Sequence, residues 1–329
     1  MSRPAFLRIT NKLAILGTAG VWLCLLGALL SRLAWPFDLF SHFRVQYAAL
    51  FVLFACVLMV LRRFRIAVAA AVGFGVSVVP LLPYAVGEPV PSAVASTREE
   101  TFRLLSFNVW FRNRDMARVA EYIESSNADA VVLLELTQRQ AAALVPLLPT
   151  YPHHQMQTGR MGAAVFTKWP VLSADSVPLS QSGSVTAARV MLDWRGTPVN
   201  VLGVHLMWPM GSYNSKARNQ ELDTLVAFSK AQRGPLLIAG DFNLTPWSEY
   251  FSDALEQSGL HDAALGFGLG RSWPAQFAPV GIRIDHCLLS RHWTAQSTRI
   301  GPDLGSDHLP LVADVMLQPL AIPGAALGE

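Results

Sequence analysis

Charge is what this sequence has least of. Only 15% of its 329 residues are Asp, Glu, Lys or Arg, against about a quarter in an ordinary soluble protein. The deficit is concentrated, because residues 13–31, 45–61 and 66–87 form uncharged runs of 19, 17 and 22 residues. Such clustering excludes a uniformly soluble chain and points to a lipid bilayer as a partner. Cysteine is scarce too: Cys24 and Cys56 lie inside apolar runs and Cys287 in a strand-like segment. That excludes a disulfide framework and a thiolate metal site. Residues 101–329 also lack a basic excess. The net +3 of the chain arises in the first hundred residues, with 9 basic and 4 acidic side chains, which leaves 17 against 19 and a net of −2 for the remainder. The chain's basic balance therefore implies no nucleic-acid surface. Internal repeats and low-complexity tracts are absent as well.

About 20 apolar residues span a bilayer core as a helix, so residues 1–87 read as a membrane anchor with three transmembrane helices. The alternative for the short second run is a buried or re-entrant helix. The first run has no small-residue cleavage site before Arg32, so it reads as an anchor and not as a removed signal peptide. Pro80 and Pro83 should kink or end the third. Arg3, Arg8, Lys12, Arg62, Arg63 and Arg65 fall on one side of this arrangement, and only Arg32, Arg44 and Arg98 on the other. Basic residues favour the cytoplasmic side. The N-terminus is then inside, and three crossings carry residues 102–329 outside on an exposed linker over 88–101.

Beyond the linker, short β-branched or aliphatic runs predict strands at 102–109, 130–135, 163–167, 187–192, 199–205, 236–240, 282–289 and 311–315. Helical patterns at 116–125, 139–148 and 216–230 lie between them, which predicts a layered α/β architecture. The G-x-G-x-G spacing at Gly266–Gly270 sits in a loop with no strand before it or helix after it. A nucleotide-binding reading of it fails on that context.

The chemistry lies at strand ends. An apolar strand buries its middle, so a polar residue at its C-terminal end faces the cleft where loops converge. Asn108, Glu135, His205, Asp241 with Asn243, Asp285 and the turn Ser306-Asp307-His308 all occupy such places. Any one could be a cap or turn former. Together, four carboxylates, two amides and two histidines in one domain exceed what capping needs. Oxygen donors without cysteine favour a hard cation such as Mg²⁺. Histidine beside carboxylates supplies acid/base function near neutral pH. The combination suits in-line attack of water on a phosphate.

Ser106-Phe107-Asn108, a strand ending in Glu135, His205, Gly240-Asp241-Phe242-Asn243, Ile284-Asp285-His286 and Ser306-Asp307-His308 follow one another in an order that resembles the endonuclease/exonuclease/phosphatase superfamily, the DNase I-like enzymes. The resemblance covers residues 102 to about 317. It implies an α/β fold, a four-layer sandwich of two mixed β-sheets flanked by helices, and a hydrolase acting on phosphoric ester bonds. It also implies Mg²⁺ as the metal, with Mn²⁺ as a substitute. By the same resemblance Glu135 is the principal metal ligand, with Asn108 close to metal or phosphate and Asp307 on the metal side. Asp241 corresponds to the carboxylate that orients or deprotonates the attacking water, and Asn243 to the amide holding that water or a phosphate oxygen. His308 corresponds to the histidine on the scissile phosphate, with Asp285 as its carboxylate partner. His205 stands near the leaving group where abasic-site endonucleases have Tyr, a departure that speaks against DNA repair.

Combined with the apolar helices, the arrangement is similar to the membrane-anchored teicoplanin-resistance proteins of this superfamily. It implies a multi-pass protein of the bacterial inner membrane with the catalytic domain on the periplasmic or extracellular side. The expected substrate is a phosphate or pyrophosphate ester, lipid-linked because a tethered cleft searches its own membrane. The alternatives are a tethered endonuclease or exonuclease on DNA or RNA phosphodiesters, and a non-catalytic binding module, which the complete motif set disfavours. No protein partner is inferable.

The remaining polar residues invite plainer readings. His286 should point to the strand face opposite Asp285, while His153, His154, His261 and His292 are expected in loops or turns, solvated. Arg160 and Arg189 could reach a phosphate or serve as surface arginines. Trp110, Trp208, Trp247 and Trp273 could stack on a base, enter a headgroup layer or pack loops.

Overall fold

The structure is a computed structural model that describes residues 3–86, 100–180, 183 and 185–318. The expected linker over 88–101 lies almost wholly outside the described residues.

The helical part comprises α1 (Arg3–Ala28), α2 (Trp35–Ser41), α3 (Arg44–Val60), α4 (Phe64–Val78) and α5 (Leu82–Ala85). Pro80 lies in the 3-10 turn Val79–Leu81 that joins the last two, where the proline ring cannot donate to an α-helical ladder. Pro4–Ala28 and Phe64–Ala85 are each long and apolar enough to cross a membrane. The second expected span, 45–61, forms the helix α3, which meets the criterion only together with α2, as a pair bent by 63°. Length explains this, since the 17 residues of α3 rise about 26 Å, short of a hydrocarbon core of about 30 Å. Among the described residues the candidate spans therefore number two, or three if the bent pair is one. Glycines let these helices approach, because a Cβ at Gly73 would strike the Phe51 ring and one at Gly17 the Phe54 ring.

The α/β part begins with β1 (Thr101–Asn108), α6 (Met116–Ser126), β2 (Ala130–Leu134), α7 (Gln138–Leu144), β3 (His153–Met156), β4 (Ala163–Thr167) and β5 (Val171–Pro178). It continues with β6 (Thr186–Trp194), β7 (Thr197–His205), α8 (Ser212–Ala231), β8 (Leu236–Asp241), α9 (Glu249–Ser258), β9 (His261–Asp262), β10 (Asp285–Leu289), β11 (Trp293–Ile300) and β12 (Leu311–Leu317). Two mixed six-stranded sheets result, ordered β11-β12-β1-β2-β4-β3 and β5-β6-β7-β8-β10-β9. Phe102, Val132, Val201, Leu237 and Trp293 belong to the buried cluster between the sheets. The outer faces are covered by α6 and α7, through Val119 and Leu144, and by α8 and α9, through Leu222 and Phe251. This is the DNase I-like layering that the sequence predicts.

Four strands depart from expectation, namely β3, β5, β9 and β11, as does the helix α9. Two expected loop histidines are corrected with them: His261 lies in β9, and His292 is buried in the turn before β11. His153 and His154 are exposed as expected, but on β3 and not in a loop.

One end of the helical bundle is docked on the α/β part. Asp38 accepts from Arg218 Nη2 at 2.9 Å and from Ser248 Oγ at 2.8 Å, all three buried. Arg32 reaches Glu249 at 2.7 Å and Asp253 at 2.9 Å. The carbonyls of Pro83 and Tyr84 accept the N–H groups of Gly266 and Gly268 at 3.0 and 2.8 Å. The glycine-rich loop thus grips the end of the helical segment instead of cradling a nucleotide. At the bundle's other end Arg63 Nε donates to Asn11 Oδ1 at 2.9 Å.

Candidate active site

Strand register gathers the polar residues. β1 and β2 run parallel with Asn108 beside Leu134, so Asn108 and Glu135 emerge together from one sheet. In the other sheet β7 and β8 run parallel with His205 beside Asp241, and antiparallel β10 brings Asp285 opposite Asp241. The turn before β12 is folded back by Ser306, whose Oγ donates to the Asn108 carbonyl at 2.7 Å and accepts the His308 N–H at 3.0 Å. Glycine is required at 240, where φ is 147° and a Cβ would run into the Val204 carbonyl. Glu135 and Asn243 themselves hold φ of 57° and 52°, a left-handed conformation that costs a non-glycine residue about 1 kcal/mol or more and is typical of functional loops.

All eight candidate residues converge. Asn108 Nδ2 lies 3.3 Å from Glu135 Oε1, 3.3 Å from Asp241 Oδ2 and 3.5 Å from His308 Nε2. The second Glu135 oxygen accepts the Phe111 N–H at 3.3 Å. Asp285 Oδ2 meets His308 Nδ1 at 2.8 Å, and Asp285 is itself fixed by its N–H donating to Ser272 Oγ at 3.1 Å. His308 Nε2 and His205 Nε2 each lie 3.6 Å from Asp241 Oδ2. The Asn243 N–H donates to Asp241 Oδ1 at 2.8 Å while its side chain donates to the Leu206 carbonyl at 2.8 Å.

Electrostatics separates the members. Burial pushes the Glu135 and Asp241 carboxyls up, against the pull of hydrogen-bond donors and of His308. Burial also lowers His205, to about 4, so it is neutral near pH 7. For His308 burial acts in the same direction, but the carboxylates of Asp285, Asp241 and Asp307 outweigh it and raise its affinity for a proton. One neutral and one cationic imidazole therefore flank a single carboxylate.

The donor set fits a hard divalent cation. Asp241, Asp285 and His308 offer ligand atoms within 4.8 Å of one another, but the Asp285–His308 hydrogen bond already occupies that pair. Asp307 Oδ1 is buried without a hydrogen-bond partner, and the half-buried Glu135 carboxylate is met by a side-chain amide and one N–H, neither of which carries a charge to balance its own. Unpaired carboxylate oxygens in a buried site call for a cation. Glu135, Asn108 and Asp307 are the residues that would hold it.

The endonuclease/exonuclease/phosphatase family profile matches residues 105–308, from the β1 strand to the Ser-Asp-His turn. The chain belongs to the endonuclease/exonuclease/phosphatase family. Its members are phosphoester hydrolases and generally need a divalent metal. Among solved structures, an endonuclease/exonuclease/phosphatase from Beutenbergia cavernae has a TM-score of 0.57 at 20% identity, covering 68% of this chain and 73% of that one. A humanized D. rerio TDP2 with 14 mutations has a TM-score of 0.55 at 15% identity, covering 66% and 99%. The mannosyl-6-phosphatase of Bacteroides thetaiotaomicron has 0.54 at 17%, covering 66% and 100%. These likenesses are to the fold. No curated protein matches the sequence significantly.

Beyond the family's core, the site includes residues that sequence reasoning missed. A cavity of about 380 Å³ contains Glu135, His205, Asp241, Asn243, Asp307 and His308, and it is also lined by Leu39, His42 and Phe43 of the helical segment. The one usable signal was Asp38, the only acidic residue before Glu88. Of the tryptophans, Trp208 and Trp273 line this cavity, whereas Trp247 is buried and donates to the His42 carbonyl at 3.0 Å. Arg160 stacks over Phe111 at 4.2 Å from the ring centre. Arg189 is held within the second sheet by Asn200 and Asp175.

Proposed function

We propose that this protein is a membrane-anchored, Mg²⁺-dependent phosphoesterase that hydrolyses a lipid-linked phosphate or pyrophosphate ester, the domain after residue 100 lying outside the cytoplasmic membrane. The observation that carries the enzymatic reading is the meeting of Glu135, Asn108 and Asp241 within 3.3 Å contacts beside the Asp285–His308 pair. A bound Mg²⁺ would neutralise charge on the phosphate and on the leaving oxygen. Asp241, whose affinity for protons burial has raised, takes a proton from the attacking water. Asn243 keeps Asp241 aimed through its N–H. His308, a cation held by Asp285, donates Nε2–H to a phosphoryl oxygen, and His205 stands beside the leaving group. The water oxygen bonds to phosphorus, the P–O bond to the leaving group breaks, that oxygen takes a proton from solvent water, and Asp241 returns to solvent the proton it took. The net −2 of residues 101–329 and the docked apolar helices favour a substrate resident in the membrane over a free polyanion.

Glu135→Gln tests the metal assignment. The variant should fold, bind Mn²⁺ at least tenfold more weakly by calorimetry, and lose most of its activity. Full activity in EDTA would overturn the assignment. A tethered nuclease is the second reading, favoured by a polar cavity beside Phe111 that Arg112, Arg114 and Arg139 line. It predicts cleavage of plasmid DNA with a steep salt dependence.

A further inference from the structure

The cavity that holds the catalytic cluster has two unlike halves. One is the polar group already described. The other is apolar: Leu39, Phe43, Trp208, Met210, Trp273 and Ile282 line it. Leu39 and Phe43 flank the bend between α2 and α3, just before α3 enters its apolar run at Val45. Facing them, Trp208 and Met210 lie on the β7–α8 loop and remain 42% and 59% exposed.

His42 fastens this corner to the catalytic loop. Its ring Nδ1 accepts the Thr245 N–H at 3.3 Å and lies 3.0 Å from Thr245 Oγ1, and its carbonyl accepts from Trp247 Nε1 at 3.0 Å. Thr245 is two residues beyond Asn243, so hydrogen bonds tie the corner to the segment that directly follows the Gly-Asp-Phe-Asn loop. A few angstroms of folded structure thus join a phosphate-cleaving centre to the start of a lipid-compatible helix.

We propose that the α2–α3 corner is part of the substrate site, Leu39 and Phe43 seating the hydrocarbon chain next to the phosphate and His42 positioning them against the catalytic loop. The proposal rests on the phosphoesterase reading for where the phosphate lies. A water-soluble ester offers nothing to fill the apolar half, whereas a long alkyl chain removes that surface from water and gains binding per methylene. The corner is a specificity determinant supplied by the anchor itself.

The full chain in detergent with Mg²⁺ tests this on two p-nitrophenyl phosphodiesters, one bearing a long alkyl chain and the other a methyl group. Leu39→Ala with Phe43→Ala should lower the long-chain to methyl ratio of kcat/KM by about tenfold, chiefly through KM, the discrimination expected of a few apolar contacts. His42→Ala should shift the ratio in the same direction, and Leu39→Met with Phe43→Leu should restore it. A ratio that the alanine pair leaves in place would overturn the proposal. A long-chain phosphonate with a diazirine near its phosphorus gives a readout independent of turnover and of how the variants fold. Labelling of residues 39–43 in the unaltered protein supports the corner, and labelling confined to other segments overturns it. Labelling of the corner without hydrolysis of either ester would uphold the corner and overturn the phosphoesterase reading.

Discussion

Asp285 and His308 stand 2.8 Å apart, both buried, with Asp241 on the far side of the imidazole. Removing Asp285 leaves His308 free to turn and lowers its hold on a proton; removing His308 leaves a buried carboxylate with no counterpart. Residues that act as a unit lose their effect together. Asp285→Ala, His308→Ala and the double variant should therefore reduce kcat by similar factors, and multiplied losses would show that the two do not act jointly. At this scale the sequence was highly legible. Each of the eight candidate residues follows or precedes an apolar strand, so its position was visible as a break in a hydrophobic run. Ser306, which holds the 305–308 turn, was visible within the Ser-Asp-His motif, whereas Ser272, which holds Asp285, was not legible, because a serine in a loop carries no periodic signal. The same holds for His42, whose partner Thr245 is 203 residues away.

At the scale of elements, the strands that the sequence concealed share one physical pattern. β3, β5, β9 and β11 are the four outer strands of the two sheets. Inner strands are covered on both faces and read as continuous apolar runs, whereas an edge strand such as Val171–Pro178 is largely exposed and alternates with polar residues. Its β character comes from pairing with β6, which no local window contains. The short edge strand β9 has a further role. Its Asp262 bonds His286 Nδ1 at 3.0 Å and Arg283 at 3.3 Å, and Tyr84 Oη of the helical segment donates to it at 3.4 Å. His286 thus points away from Asp285, as its strand position requires, into a second buried pair. Burial alone would raise the Asp262 carboxyl, but Arg283 and His286 outweigh it and hold it down at about 2. An unfolded aspartate titrates near 3.9, so this stabilisation is fully present above about pH 4 and is lost as pH falls through 2. It amounts to about 2 kcal/mol. Urea unfolding at pH 5 and pH 2.5 should show that loss in the unaltered chain. Asp262→Asn should be less stable at pH 5 and should show a shallower fall, and an unchanged acid limb would contradict the pairing.

For the whole molecule, the decisive feature is that the helical segment and the α/β domain are joined at one end. Asp38, His42, Gln46, Pro83 and Tyr84 all contact the domain, whereas the turn with Arg62 and Arg63, and Arg65 at the start of α4, lie at the opposite end. If the apolar helices cross a bilayer, the domain and the basic turn fall on opposite faces, which is the arrangement the positive-inside rule favours. Composition revealed the apolar runs but not the break at 42–43, because a bend that packs against another domain leaves no trace in hydropathy. It also left open how the helical segment meets the α/β domain, a contact that the buried Asp38–Arg218 pair makes directly. The proposed function is that of a metal-dependent phosphoesterase, and its cleft opens at the end of the apolar helices that packs on the α/β domain. The most direct measurement is hydrolysis by the detergent-purified full chain with Mg²⁺, comparing polyprenyl pyrophosphate in mixed micelles with plasmid DNA at equal phosphate concentration. Release of phosphate from the lipid, abolished by EDTA and by Glu135→Gln, with DNA left intact, is the predicted result. Efficient cutting of the plasmid with the polyprenyl pyrophosphate untouched would contradict it.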